Sequence, residues 1–176
     1  HTKLMKDYMH GVQTENLNRP ELDNIRVAVT GAFCEQPPLM LIKSLEQSGC
    51  YIVEDDWVLC SRYILGDIST NGNPLEAISD AFLTKTVATA SKYIDQDVKG
   101  AFLLSRIKEN NAEGVIFCAP SFCDPALLER PMLQNAMKKA NIPYTSLKYA
   151  ENTGQFQVIK EQAGTFADSI KLWGQA

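Results

Sequence analysis

Histidine is nearly absent from this chain of 176 residues, and two common nucleotide-binding motifs are missing. The only histidines, His1 and His10, precede the first predicted strand. Cysteine hydrolases and many acyltransferases need a basic partner, most often histidine, so a Cys–His dyad would require the leading segment to fold back. Neither GxGxxG nor GxxxxGK[ST] occurs, and the sequence therefore gives no support for binding of NAD or ATP by this chain.

Long apolar runs, a signal segment and blocks of like charge are also missing. No apolar run approaches the roughly 20 residues that span a bilayer, and no charged-then-apolar leader is present. The net charge of -4 and the dispersed lysines and arginines argue against a nucleic-acid surface. The composition, 45% hydrophobic and 22% charged, is that of a globular domain with a substantial core. The first residue is not methionine, and we expect the chain to be a piece of a longer polypeptide.

The five cysteines are odd in number and irregularly spaced, and no CxxC pair occurs. A secreted disulfide framework or a self-contained zinc site is therefore disfavoured, and reduced thiols in the cytoplasm are expected. Cys50 begins a predicted strand and Cys118 lies within another, so both are expected in the core.

Predicted strands alternate with predicted helices along the chain. A leading helix and connector (1–24) precede the predicted α/β domain (25–176). Strands are predicted at 25–31, 50–57, 114–120 and 142–148, and helices at 37–49, 74–94 (in two pieces), 98–111, from 124 onward, and 155–174 with a bend at Gly164. This order predicts a doubly wound, Rossmann- or flavodoxin-like, mainly parallel sheet of four to five strands with helices on both faces.

The helix after the third strand has the clearest local signals. Asp124 is predicted to cap it and Pro125 to occupy its first turn. Its core stripe is predicted to consist of Leu128, Met132, Ala136 and Ala140.

Cysteines follow three of the four predicted strands, at the edge where parallel sheets bind ligands. Cys123 immediately precedes a helix, where a thiolate has a lowered pKa and can act as a nucleophile or metal ligand. The same position suits a small apolar residue packed in a tight turn. One cysteine cannot hold a metal cluster alone, so further ligands would come from Cys34, Cys60, another domain or a partner chain.

Other residues at this edge have two interpretations each. Cys34 and Glu35 after the first strand, and Cys60 after the second, either line the same crevice or pack in turns. Arg62 would pair with a phosphate, or with a neighbouring aspartate. A polar turn is predicted after the last strand, and it consists of Glu151, Asn152, Thr153 and Gly154. Its amide groups would bind a phosphate or a thioester carbonyl, or it is an ordinary turn between a strand and a helix. Cys118 and Cys123 match part of a ferredoxin spacing, but a strand followed by a turn should point them apart.

The segments TGAFCEQPP (30–38) and SFCDPALLERP (121–131), with the stretch 114–155 and the final helix, resemble a known family. From residue 25 onward the chain is similar to the end of subunits of the 2-hydroxyacyl-CoA dehydratase and benzoyl-CoA reductase superfamily, especially the C-type subunits of ATP-dependent benzoyl-CoA reductases. The resemblance implies the C-terminal domain of a larger subunit in which three cysteines hold a [4Fe-4S] cluster. Cys123 would be the third ligand, and Cys34 and Cys60 have no ligand role in the family pattern.

The resemblance also implies a reaction and partners. The expected reaction is low-potential, one-electron reduction of the benzoyl-CoA ring, alongside a paralogous cluster-carrying subunit and with electrons from a separate, ATP-hydrolysing iron–sulfur activator. The fragment by itself would be inactive. A subunit of an (R)-2-hydroxyacyl-CoA dehydratase and a non-catalytic α/β binding module remain as alternatives.

Overall fold

The computed structural model describes residues 1–31, 37–57, 64–86, 100–150 and 155–173. In chain order the helices and strands are α1 (Thr2–Asn16), β1 (Ile25–Thr30), α2 (Leu39–Glu46), β2 (Cys50–Asp55), α3 (Pro74–Thr84), α4 (Ala101–Glu109), β3 (Gly114–Pro120), α5 (Asp124–Lys139), β4 (Tyr144–Tyr149) and α6 (Phe156–Trp173). The second half of the predicted 74–94 helix lies outside the described residues, beyond 86. In the described ranges, no helix combines the length and apolar composition that would let it cross a membrane.

The strands form a four-stranded sheet in the order β2-β1-β3-β4, and every neighbouring pair is parallel. The prediction of a doubly wound parallel sheet is confirmed. From β1 the chain goes to β2 on one side, while β3 and β4 lie on the other. The point where the winding reverses is therefore the gap between the carboxyl ends of β1 and β3, where folds of this order bind their ligands.

Each face of the sheet has its own hydrophobic core. Helices α2 and α6 cover one face, where Leu45 and Ala163 pack with Val27 and Ile116. Helices α4 and α5 cover the other face, on which Ile107 and Met137 are buried with Ala28, Val115 and Phe117. A parallel strand covered on both sides must be apolar throughout, and β3 is buried from Gly114 to Ala119.

Strand β2 contains a bulge that changes which face its acidic end occupies. Val27 pairs with Ile52, but the next β1 residue, Ala28, pairs with Glu54, so Val53 is an extra residue. Glu54 consequently lies on the α4 side instead of the side of Ile52. There it accepts hydrogen bonds from Arg106 Nη2 (2.7 Å) and Nε (3.1 Å), which fasten α4 to the edge of the sheet.

Two features predicted for α5 are wrong. Asp124 is the first helical residue and Cys123 is the N-cap, although Pro125 does occupy the first turn as predicted. The predicted stripe is also wrong at three of its four positions. Leu128, Met132 and Ala140 are exposed, whereas Ala136 packs on the core as predicted. The buried residues of the helix are Ala126 and Met137. Steps of four residues drift by about 40° each on a helix of 3.6 residues per turn, so the four predicted positions spread over about 120°.

Helix α1 occupies the predicted leading segment and has no buried residue. Its apolar side chains Leu4, Met5, Tyr8 and Met9 are all exposed. At the other end of the chain, α6 continues through Gly164 as a single helix.

Candidate functional site

The candidate site lies at the carboxyl ends of β1 and β3, where the winding of the sheet reverses. Strand β1 ends at Thr30 and is followed by Gly31, and β3 ends at Pro120 and leads by a short turn into α5. Doubly wound sheets bind ligands at this position because two neighbouring loops diverge there and leave a crevice.

Cys123 is the N-cap residue of α5 and lies at the edge of this crevice. Its amide donates a hydrogen bond to the carbonyl of Pro120 (3.1 Å), and its own carbonyl accepts the first helical bond from Leu127 (3.0 Å). Its side chain is buried against Ala119 and Ala126, with Leu127 packed on the same cluster. Cys123 thus packs between the end of β3 and the first turn of α5.

The turn before Cys123 is fixed to the neighbouring strand. The amide of Ser121 (2.8 Å) and its hydroxyl (3.0 Å) both donate to the carbonyl of Tyr149, the last residue of β4. Between these anchored residues, the Phe122 ring projects outward with 93% of its surface exposed. Sequence reasoning missed this ring, since an aromatic residue beside a buried strand is ordinarily assigned to the core.

Asp56, which follows β2, holds the end of β1. Its carboxylate accepts from the Thr30 hydroxyl (2.9 Å) and from the Gly31 amide (3.3 Å). The β2 bulge sets this contact, because the shifted register places Asp56 beside Thr30. The backbone at the end of β1 is thereby fixed from β2.

Two other cysteines are core residues, as predicted. Cys50 and Cys118 are fully buried in the core under α2 and α6. Burial raises the pKa of Cys118 to about 12, and burial likewise raises the pKa of Cys50 to about 11 against a smaller opposing effect of Lys171. Cys118 and Cys123 belong to separate packing clusters, which agrees with the expectation that they point apart.

The remaining predicted site residues lie outside the described residues. These are Cys34 and Glu35 after β1, Cys60 and Arg62 after β2, and the polar turn after β4 that comprises Glu151, Asn152, Thr153 and Gly154. His1 and His10 are described, and both are exposed on or beside α1.

Within the ranges that the structure describes, no three histidine, cysteine or acidic side chains come together as a metal site. Cys123 is the one described cysteine outside the core under α2 and α6. The described residues therefore fit one corner of an iron–sulfur cluster, whose four iron atoms are commonly held by several thiolates. They do not supply a complete ligand set.

Beside Cys123 runs a cleft that sequence reasoning did not anticipate. One side is lined by strand residues and by Gly31, which follows β1; the strand residues are Thr30, Phe117, Cys118 and Ala119. The other side is lined by residues of α5, which are Ala126, Glu129, Arg130 and Leu133. In the sequence, Glu129 and Arg130 resemble the charges of any solvated helix face. Only the docking of α5 onto the sheet turns them toward the end of β1.

Fold and site together define a doubly wound parallel α/β domain with a cysteine at the first turn of the helix that follows the switch-point strand. The profile of the family "2-hydroxyglutaryl-CoA dehydratase, D-component" matches residues 1–170, and the chain belongs to this family.

Three curated proteins are similar to the chain. It is 55% identical over 98% of its length to the C-type subunit of benzoyl-CoA reductase of Thauera aromatica, of which it covers 45%. It is 22% identical over 97% of its length to the "(R)-phenyllactyl-CoA dehydratase beta subunit" of Clostridium sporogenes, covering 44% of that protein. It is 25% identical over 85% of its length to the beta subunit of (R)-2-hydroxyglutaryl-CoA dehydratase of Acidaminococcus fermentans, covering 40%. The chain thus spans less than half the length of these relatives.

Proposed function

We propose that this chain is the C-terminal domain of a subunit of an ATP-dependent benzoyl-CoA reductase, which reduces the aromatic ring of its thioester substrate in low-potential, one-electron steps. The observation that carries the proposal is 55% identity over 98% of the chain to a benzoyl-CoA reductase subunit. The identity to the two dehydratase subunits is 22% and 25%, so the reductase is favoured within the family.

In this proposal Cys123 is one ligand of a [4Fe-4S] cluster, and the other ligands come from parts of the subunit that precede this chain. Several features support the assignment. Cys123 lies at the switch point of the sheet, at the N-terminus of α5. Its backbone is held on both sides by hydrogen bonds, and its side chain packs against Ala119 and Ala126. When bound, the cluster supplies single electrons at low potential.

The other components are also part of the proposal. A paralogous cluster-carrying subunit and a separate iron–sulfur activator that hydrolyses ATP would complete the enzyme, which we place in the cytoplasm. The absence of a GxxxxGK[ST] motif in this chain is consistent with ATP being bound by another subunit. Cys34, Glu35, Cys60 and Arg62 are proposed to line the active site, and residues 151–154 to contact the CoA ester.

The test is iron and acid-labile sulfide in the full-length subunit, prepared anaerobically, with Cys123→Ala compared with Cys50→Ala. Cys123→Ala is expected to lose most of one cluster. The fold should be retained, because the substitution removes only a sulfur atom from a small packing cluster with Ala119 and Ala126. Cys50→Ala, which changes a buried core thiol, should keep its iron. Unchanged iron and activity in Cys123→Ala would remove the ligand assignment.

The alternative within the family is a dehydratase of (R)-2-hydroxyacyl-CoA thioesters, favoured by the two dehydratase subunits among the relatives. Incubating the complete complex with benzoyl-CoA and with a 2-hydroxyacyl-CoA separates the two reactions. Loss of water from the second thioester, with no reduction of the first, would favour the dehydratase. A complex that contains no iron and acts on neither thioester would favour a non-catalytic binding module.

A further inference from the structure

Arg130 lines the cleft between α5 and the ends of β1 and β3, and it is half-buried there. In the parts of the chain that the structure describes, its guanidinium has no ion pair and no side-chain hydrogen bond. Two other described arginines of the α/β domain are paired: Arg26 with Glu113 and Asn111, and Arg106 with Glu54 and Glu109. Partly burying an arginine without an acceptor costs free energy, so an unpaired one in a crevice points to a ligand.

The walls around Arg130 are mostly apolar. Phe117, Ala119, Ala126 and Leu133 line the cleft, so water is partly excluded and an oxyanion beside the guanidinium would be bound more strongly than in bulk solvent. Two acidic residues of this region already have interactions. Asp56 accepts from Thr30 and Gly31, and Glu129 interacts with another group of the chain. Arg130 therefore has donors to offer and no acceptor within the described residues.

The distance between Cys123 and Arg130 indicates how long a ligand that reaches both residues must be. The two residues are seven apart on α5, which corresponds to about 10 Å along the helix axis. Ala119 and Ala126 line the cleft and also contact Cys123. A ligand whose reacting end lies near Cys123 would have to extend along α5 to reach Arg130 with a distant group.

We infer that Arg130 binds a phosphate group of the acyl-CoA substrate, holding the nucleotide end of the thioester while its acyl end lies toward Cys123. This inference rests on the proposed function for the identity of the ligand. An arginine suits the role because its fork of N–H groups matches the oxygens of a phosphate in a charge-assisted, bidentate contact. Glu129, on the same wall, would oppose the phosphate by like-charge repulsion.

The test measures binding by equilibrium dialysis in the assembled complex, with coenzyme A and with pantetheine, which lacks the phosphates and the nucleotide. Arg130→Gln is expected to weaken coenzyme A binding about tenfold, the size of a hydrogen bond to a charged group, and to leave pantetheine binding unchanged. Lys138→Gln is the matched control, because it removes a positive charge from the last turn of the same helix. It should change neither affinity.

Two further variants keep the test decisive if Arg130→Gln perturbs the helix. Arg130→Lys should retain part of the affinity for coenzyme A, since a lysine keeps the charge and loses the fork. Glu129→Gln should bind coenzyme A more tightly than the unmodified protein. Equal affinity of Arg130→Gln and unmodified protein for coenzyme A, or an equal loss for coenzyme A and pantetheine, would overturn the inference.

The same experiment separates this inference from the proposed function. A complex that binds coenzyme A through Arg130 but neither reduces nor dehydrates a thioester would refute the reaction and keep the site. A complex that reduces benzoyl-CoA with unchanged affinity in Arg130→Gln would refute the site and keep the reaction.

Discussion

At the scale of single residues, the cysteines of this chain divide by their surroundings. Cys50 and Cys118 are enclosed by the core on the α2 and α6 side, where burial disfavours the thiolate. Cys123 lies at the switch point and packs against small residues at a helix N-terminus. The three described cysteines, which are the same residue type in the sequence, thus occupy two different kinds of surroundings.

The raised pKa of Cys50 predicts a loss of stability at alkaline pH. In the unfolded chain the thiol has the ordinary value of 9.0, whereas in the fold the value is about 11. The unfolded state therefore loses its proton first. The contribution is fully present below pH 9 and is lost as the pH rises through 11, amounting to roughly 2 to 3 kcal/mol in the free energy of unfolding.

Urea unfolding at pH 8, 9, 10 and 11 measures this effect when unmodified protein is compared with Cys50→Ala. The difference in unfolding free energy between the two proteins should shrink with rising pH, because the variant has no thiol to titrate. A difference that stays constant over this range would contradict the raised pKa.

At the scale of elements, a glycine sets how closely α4 and α5 approach each other. Gly100 precedes α4 with a left-handed backbone angle (φ +93°), and a Cβ atom there would lie 2.5 Å from Ala136 Cβ of α5. Gly66 has nearly the same backbone angle (φ +91°) with no atom within 4 Å of its Cβ position. Both glycines adopt the left-handed backbone conformation, and only Gly100 also lacks space for a side chain.

Gly100→Ala is therefore expected to destabilise the chain more than Gly66→Ala. Both substitutions force an L-residue into the left-handed region, at about 1 to 2 kcal/mol. Gly100→Ala also overpacks a helix contact, which adds about 1 to 3 kcal/mol. Thermal unfolding of the two variants provides the comparison, and an equal loss of stability would show that α4 and α5 are not in close contact.

The bulge in β2 also acts at this scale, because it changes the face of the sheet on which Glu54 lies. Alternation along a strand predicts Ile52 and Glu54 on the same face, yet the extra residue Val53 places them on opposite faces. The hydrogen bond with Glu54 is the main reason that the pKa of the Arg106 guanidinium is raised above its ordinary value. Without the bulge, Glu54 would face the apolar core under α2 and α6.

At the scale of the whole molecule, α1 stands apart from the α/β domain. None of its residues is buried, and Leu4, Met5, Tyr8 and Met9 are exposed. Removing residues 1–17 should therefore leave the unfolding free energy of the remaining domain within about 0.5 kcal/mol, the usual range for changes at exposed positions. Such a result would support the proposed boundary between a leading segment at 1–24 and the domain at 25–176.

Chemical denaturation of the full and shortened chains, followed by tryptophan fluorescence from buried Trp57, tests this boundary. A matched control deletes residues 156–173 instead, which removes α6 and its five buried residues and should abolish cooperative unfolding. A large loss of stability on removal of residues 1–17 would mean that α1 belongs to the folded unit.

The sequence by itself determined the order and type of the elements, the parallel sheet class and the burial of Cys50 and Cys118. These depend on local patterns: β3 is an unbroken apolar run, Gly49 and Asn111 end their helices with positive φ, and Pro125 opens α5. Residues close in sequence generate such patterns, so the signal survives without knowledge of the fold.

Only the tertiary structure decided which side of α5 is buried and what lies at the switch point. Apolar residues occur around much of α5, so its own sequence is compatible with several buried stripes, and contact with β3 selects the one that includes Ala126 and Met137. That choice places Arg130 along the cleft, and the β2 bulge places Asp56 beside Thr30. Both outcomes depend on contacts between residues far apart in the chain, which no local pattern records.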